Sequence, residues 1–190
     1  HVLVLTSGYA SNRASGDPVS WLHVLSTSDL SARAAPIEIP GTADTIASPL
    51  HVRGSSCWVA TRTRASGFGY VTHIDLSAEP RIAAQYSLTE VTRSLHIAPA
   101  PSGDSVVVAA DNRLHLFPGT FVRQYESPIT ALRWLPDGLY IGEAGRLHTV
   151  DPQTLRRLLP IAVRRPQALQ KQPLLPDRHR LLEGKDLALG

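Results

Sequence analysis

Apolar and polar residues alternate along this chain in short runs, and turn-forming residues separate the runs at recurring places. The clearest stretch lies between Pro128 and Ile161. Ile129-Thr130-Ala131-Leu132-Arg133-Trp134 follows the two-residue period of a half-buried strand. Leu135-Pro136-Asp137-Gly138 then predicts a turn, because Pro presets φ and Gly tolerates a positive φ. Leu139-Tyr140-Ile141-Gly142 predicts a second strand, Glu143-Ala144-Gly145 a tight turn, and Arg146-Leu147-His148-Thr149-Val150 a third strand. After Asp151-Pro152-Gln153-Thr154, Arg157-Leu158-Leu159-Pro160-Ile161 predicts a fourth. Short strands joined by such turns form an antiparallel meander.

The same order recurs upstream. Leu95 to Ala98, Val106 to Ala109, Arg113 to Phe117 and Phe121 to Tyr125 predict one more set of four strands. Asp44-Thr45-Ile46-Ala47, Cys57 to Ala60, Tyr70 to Asp75 and Ile82 to Tyr86 predict another, with a longer turn from Arg62 to Gly69. The copy nearest the N-terminus opens on Val2-Leu3-Val4-Leu5-Thr6 and continues with Trp21 to Leu25 and Ala35 to Ile39, so its first strand is missing. Near the other end, Leu175-Pro176-Asp177 repeats Leu135-Pro136-Asp137, and Arg180 to Leu182 and Asp186 to Leu189 fit further strands.

These repeats predict an all-β chain. A small meander cannot bury both faces alone, whereas stacking on neighbouring copies covers them, and radial closure leaves only short edges. Units of roughly 35 to 50 residues with four strands each point to a β-propeller. The expectation is about three complete four-stranded antiparallel blades plus partial blades at both ends. Residues 1–161 would form the blades, and 162–190 a further blade's start or a C-terminal extension. Irregular strand lengths would favour a β-sandwich instead. No segment sustains a 3.6-residue period over several turns.

Composition narrows the class. The 190 residues are 43% hydrophobic and 18% charged, a globular balance. No apolar run approaches the roughly 20 residues that cross a bilayer, so no membrane span is expected. There is no Met, and the opening His1-Val2-Leu3-Val4-Leu5 does not read as a signal peptide. The native start is expected upstream, so this opening carries no information on compartment. A lone cysteine, Cys57, makes neither an internal disulfide nor a zinc site by itself, and its strand context predicts a buried, inert thiol. The formal net charge is +3. The basic residues are dispersed, with small pairs at Arg156-Arg157 and Arg164-Arg165, whereas nucleic-acid binding needs a concentrated basic face.

Pro128-Ile129-Thr130-Ala131-Leu132-Arg133-Trp134-Leu135-Pro136-Asp137-Gly138 resembles the opening of a WD-type propeller repeat. Val71-Thr72-His73-Ile74-Asp75-Leu76 and Leu147 to Leu155 resemble the third strand and following turn of WD-like and YVTN-like repeats. The similarity covers most of residues 1–161, without the Gly-His and Trp-Asp dipeptides of WD repeats. It implies a platform that assembles other proteins or holds a ligand over a central channel, not a reaction.

Candidate chemistry is sparse. His23, His115 and His148 each follow Leu in a predicted third strand, and His73 sits one place displaced. Equivalent positions of successive sheets face one side each and do not converge as metal ligands must. Asp44, Asp75, Asp104, Asp137, Asp151 and Asp177 nearly all fall in turns, where the side chain bonds backbone amides. Neither the Ser-rich stretches nor Gly67-Phe68-Gly69 supplies a nucleophile elbow or a phosphate loop. No catalytic residue, metal or cofactor is therefore assigned.

Two long turns, Gly8 to Val19 and Arg62 to Gly69, join second and third strands and should emerge at one end of the stack. Tyr9, Arg13, Arg62, Arg64 and Phe68 are the candidate binding residues, because function concentrates on loops over a rigid frame and Arg with aromatics anchors interfaces. The expected function is a non-catalytic scaffold for a protein partner. The alternative is a propeller enzyme, a lactonase-like hydrolase or a quinone-dependent dehydrogenase, with its site at the channel mouth. RNA association through the basic surface is a weaker third reading.

Overall fold

The computed structural model describes residues 1–9, 18–43, 46–63, 67–89, 91 and 94–160. Every regular element among them is a strand, and the strands form four antiparallel sheets in chain order. The first sheet has three strands, β1 (Val2–Tyr9), β2 (Pro18–Leu25) and β3 (Ile37–Pro40). The second has four, β4 (Leu50–Arg53), β5 (Ser56–Thr63), β6 (Phe68–Asp75) and β7 (Arg81–Leu88). The third comprises β8 (Leu95–Pro99), β9 (Val106–Ala110), β10 (Arg113–Phe117) and β11 (Phe121–Gln124). The fourth comprises β12 (Ile129–Leu135), β13 (Gly138–Glu143), β14 (Arg146–Val150) and β15 (Arg157–Pro160). Each sheet is a meander whose strands pair in sequence order.

The sheets stack face to face in series. Leu22, Val24 and Ile39 of the first meet Cys57, Val59 and Ile74 of the second. Trp58, Ala60 and Val71 on the opposite face of the second meet Ile97, Val106 and Val108 of the third. Val107, Ala109 and Leu114 then meet Ile129, Leu139 and Ile141 of the fourth. The run Val106-Val107-Val108-Ala109-Ala110 is buried throughout because both of its faces are covered. Each large aliphatic side chain enclosed this way contributes about 1.5–3 kcal/mol.

Turn chemistry fixes the registers. Ala144 and Gly145 both have positive φ, 49° and 73°, and close the two-residue β13–β14 hairpin with the twist such hairpins favour. Asp151 accepts hydrogen bonds from the Gln153 and Thr154 amides, both at 2.8 Å, and Asp75 accepts one from the Ser77 amide at 2.9 Å. The carboxylates of these turns therefore cap backbone groups, as their sequence context implies.

Two boundaries differ from the sequence reading. The first strand of the second sheet is Leu50–Arg53, not the stretch near Asp44. Ile46 lies outside any strand; its amide donates to the Ala43 carbonyl, and its buried side chain plugs the core beside Trp58. Asp44 and Thr45 lie outside the described residues. The β5–β6 hairpin is also tighter than expected, because Arg62 pairs with Gly69 and Thr63 with Phe68. Gly69 serves close packing and not a turn: a Cβ there would come within 2.9 Å of a Val91 methyl carbon.

Cys57 is fully buried, and burial pushes its thiol up to about 12. Residues 162–190, expected to open a further unit or form an extension, lie outside the described residues. Among the described residues no helix is long and apolar enough to cross a membrane.

Candidate functional site

The four-stranded sheets come closest to one another along their first strands. β4 approaches β8 and β8 approaches β12, while the last strands β7, β11 and β15 make no comparable approach to a neighbouring sheet. The sheets therefore splay outward from the line of their first strands. The first sheet joins the second differently: Thr42, just after β3, exchanges two backbone hydrogen bonds with Arg62 of β5, both 2.9 Å.

A groove of about 570 Å3 opens along that line. Its walls are Ser48, His51 and Arg53 around β4, His96 to Pro99 of β8, and Leu132 to Leu135 of β12 with Pro136 just after it. Arg53, Arg133, His51 and His96 are the ionisable groups of the lining, and no Asp or Glu is among them. Neither arginine has an ion-pair partner among the described residues. Burial is the main cause that holds the His51 pKa below its usual value, and the charges of Arg53 and Arg133 push the same way, against a bond to the Ser48 carbonyl that raises it. Those two charges, from two different strands, thus act on one imidazole. His51 Nε2 lies 3.2 Å from the Ser48 carbonyl oxygen, so that nitrogen carries the proton. Burial also lowers the His96 pKa. Apolar groups complete the wall: Ile97 and Ala98 are buried, and Trp134 packs partly inward against the cluster between the third and fourth sheets.

Tyr9, Arg62 and Phe68, the described ones among the residues singled out from the sequence, are not in the groove lining. Gly8 pairs with Val19 and Val19 with Pro40, and Thr42 bridges that end of the first sheet to Arg62. The end of β1 and the start of β2 therefore lie at the same end of the stack as the end of β5 and the start of β6. Tyr9 ends β1 opposite Pro18, whereas Arg13 and Arg64 lie outside the described residues. Arg62 and Phe68 are strand residues, not loop residues. The backbone of Arg62 is engaged with Thr42, and Phe68 is part-exposed beside Tyr70, with ring centroids 6.5 Å apart. The groove reaches the opposite end of the strands, where Arg53, Pro99 and Leu135 lead into the first-to-second-strand turns.

No protein-family model and no curated protein matches the chain.

The histidines divide by face. His115 pairs across from Val108 and His148 from Ile141, so both turn toward the preceding sheet. His23 sits opposite Val4, on the face turned away from the second sheet. His73, one place displaced, faces forward and stacks on Trp58 with centroids 4.2 Å apart. Among the described residues no three His, Cys, Asp or Glu side chains gather as a metal site would require.

A second polar cluster joins the third and fourth sheets. Glu143, 3% exposed, accepts the Ser127 amide at 3.1 Å, pairs with Arg157, and lies 3.8 Å from His148 Nε2. The Arg157 guanidinium stands 5.2 Å from the centre of the Tyr125 ring, and the Tyr125 hydroxyl donates to the Leu155 carbonyl at 2.8 Å. Each polar group of this cluster is held by another, so it clamps the β11–β12 connection onto the fourth sheet.

Proposed function

We propose that this chain is part of a β-propeller that binds a protein partner along the line of its first strands and carries out no reaction itself. Four sheets stacked in chain order, the three four-stranded ones splayed from that line, fit the arrangement that radial repetition requires. The two outward faces of the stack support further neighbours on both sides. Val2 and Val4 are exposed on one, and Leu147 on the other. In this reading the three described four-stranded sheets are complete blades and the first sheet is a partial one. The resemblance to WD-type repeats points the same way.

The observation that carries the proposal is the groove itself, a concave surface built by three separate repeats on rigid strands. A platform assembled this way presents side chains from several blades to one ligand. The test is selection of peptides from a random display library against the 190-residue chain, followed by titration on a variant with the groove filled by Ser48→Trp and Leu135→Trp. Both positions are exposed, so the fold should tolerate the change. Selected peptides are expected to lose at least about tenfold in affinity on the filled variant, with Tm preserved. Peptides that bind both forms equally, or a selection that yields none, would remove the groove as the binding site.

A further inference from the structure

We infer that the groove takes an acidic peptide segment in extended form, its side-chain carboxylates held by Arg53 and Arg133. This deepens the reading of the groove as the binding site and rests on it. The argument begins with charge. Two guanidinium groups from β4 and β12 line one cavity, neither has an ion-pair partner among the described residues, and the lining contains no carboxylate to neutralise them. Guanidinium forks pair with carboxylates in two-point geometry. His51 and His96 add polar groups to the same lining, and Ile97 and Ala98 add apolar ones. Such a surface matches a segment that alternates acidic and small apolar residues.

Shape and the single lining aromatic decide between a peptide and a nucleic acid. Single-stranded nucleic acids are held by aromatic faces on which bases stack. Trp134 is the one Trp, Tyr or Phe in the lining, and it packs against the inter-sheet core. Leu132 to Leu135 of β12 line the groove, so an extended segment of about four residues would span that wall.

The test is fluorescence polarisation on the 190-residue chain with a labelled peptide of about eight residues bearing glutamate at alternate positions. The same peptide with glutamine, inorganic phosphate and oligouridylate serve as comparisons. The glutamate peptide is expected to bind at least about tenfold more tightly than the glutamine peptide, and Arg53→Gln with Arg133→Gln to remove most of that difference at unchanged Tm. The variant with Ser48→Trp and Leu135→Trp should abolish binding. Equal binding of the two peptides, lost on filling the groove, would overturn the acidic ligand and leave the groove as a peptide site. Glutamate-peptide binding that survives filling would remove both claims. No binding of the glutamate peptide, or its displacement by oligouridylate or phosphate at lower concentration than by unlabelled peptide, would overturn the inference.

Discussion

Trp58 is wholly buried between the second and third sheets, and its indole N–H donates to the Gly103 carbonyl oxygen at 2.9 Å. Gly103 has φ of +85°, and a Cβ there would sit 3.0 Å from the Arg53 carbonyl oxygen. Glycine is thus required twice over, by its dihedral and by close approach of the β4–β5 turn. Gly103→Ala should cost about 1–3 kcal/mol, measured by urea denaturation, and Trp58→Phe about 1–2 kcal/mol through the lost hydrogen bond and reduced packing. His73, stacked on the same indole, has a buried Nε2 with no hydrogen-bond partner among the described residues, and burial holds its pKa below the usual value. An unpaired buried nitrogen is costly, so His73→Phe should keep the stack and leave Tm equal or higher. A clear fall in Tm would mean that the imidazole makes a bond through water or ion.

At the scale of elements, Glu143 at the end of β13 ties together the connection before β12, the strand β14 and the start of β15. Glu143→Ala should cost about 1–3 kcal/mol and raise amide exchange first in Ser127 and β15, which lose their anchor. Most strands were legible from their residues because alternation and turn residues agree there: β10 and β14 begin and end where Arg113-Phe117 and Arg146-Val150 predict. β4 was hidden because His51 and Arg53 are polar and half of the strand is exposed, while apolar Ile46 mimics a strand from outside any strand. The Arg62–Gly69 hairpin looked longer than it is because glycine at position 69 signals a turn, when in fact it makes room for Val91. The groove was the least legible feature. Its two arginines, Arg53 and Arg133, lie two repeats apart in the chain, and proximity comes only from stacking. Leu-His recurs at 50–51 and 95–96 in two first strands, but it also occurs at 22–23, 114–115 and 147–148, so the dipeptide does not mark the groove.

The whole molecule inherits a common response to acid from its buried imidazoles. Burial lowers the pKa of His51, His73, His96 and His115 as the leading cause in each. The unfolded chain therefore binds these protons more readily than the folded one. Stability should be full above about pH 6.5, the ordinary histidine value, and fall as pH drops through the lowered values. Thermal melts between about pH 7.5 and pH 5 should show Tm declining in that direction, and His73→Phe should blunt part of the decline. A Tm that holds constant across that range would show that these imidazoles titrate alike in both states.

Because each core cluster among the described residues joins one sheet to the next, cooperativity is shared chiefly between nearest neighbours, much as plates in a stack support one another. Amides of β5 and β9, covered on both sides, should exchange slowest with deuterium, and those of β1 and the far strands of the fourth sheet soonest. A lesion at one interface should then loosen its own pair of plates and leave the rest of the pile standing.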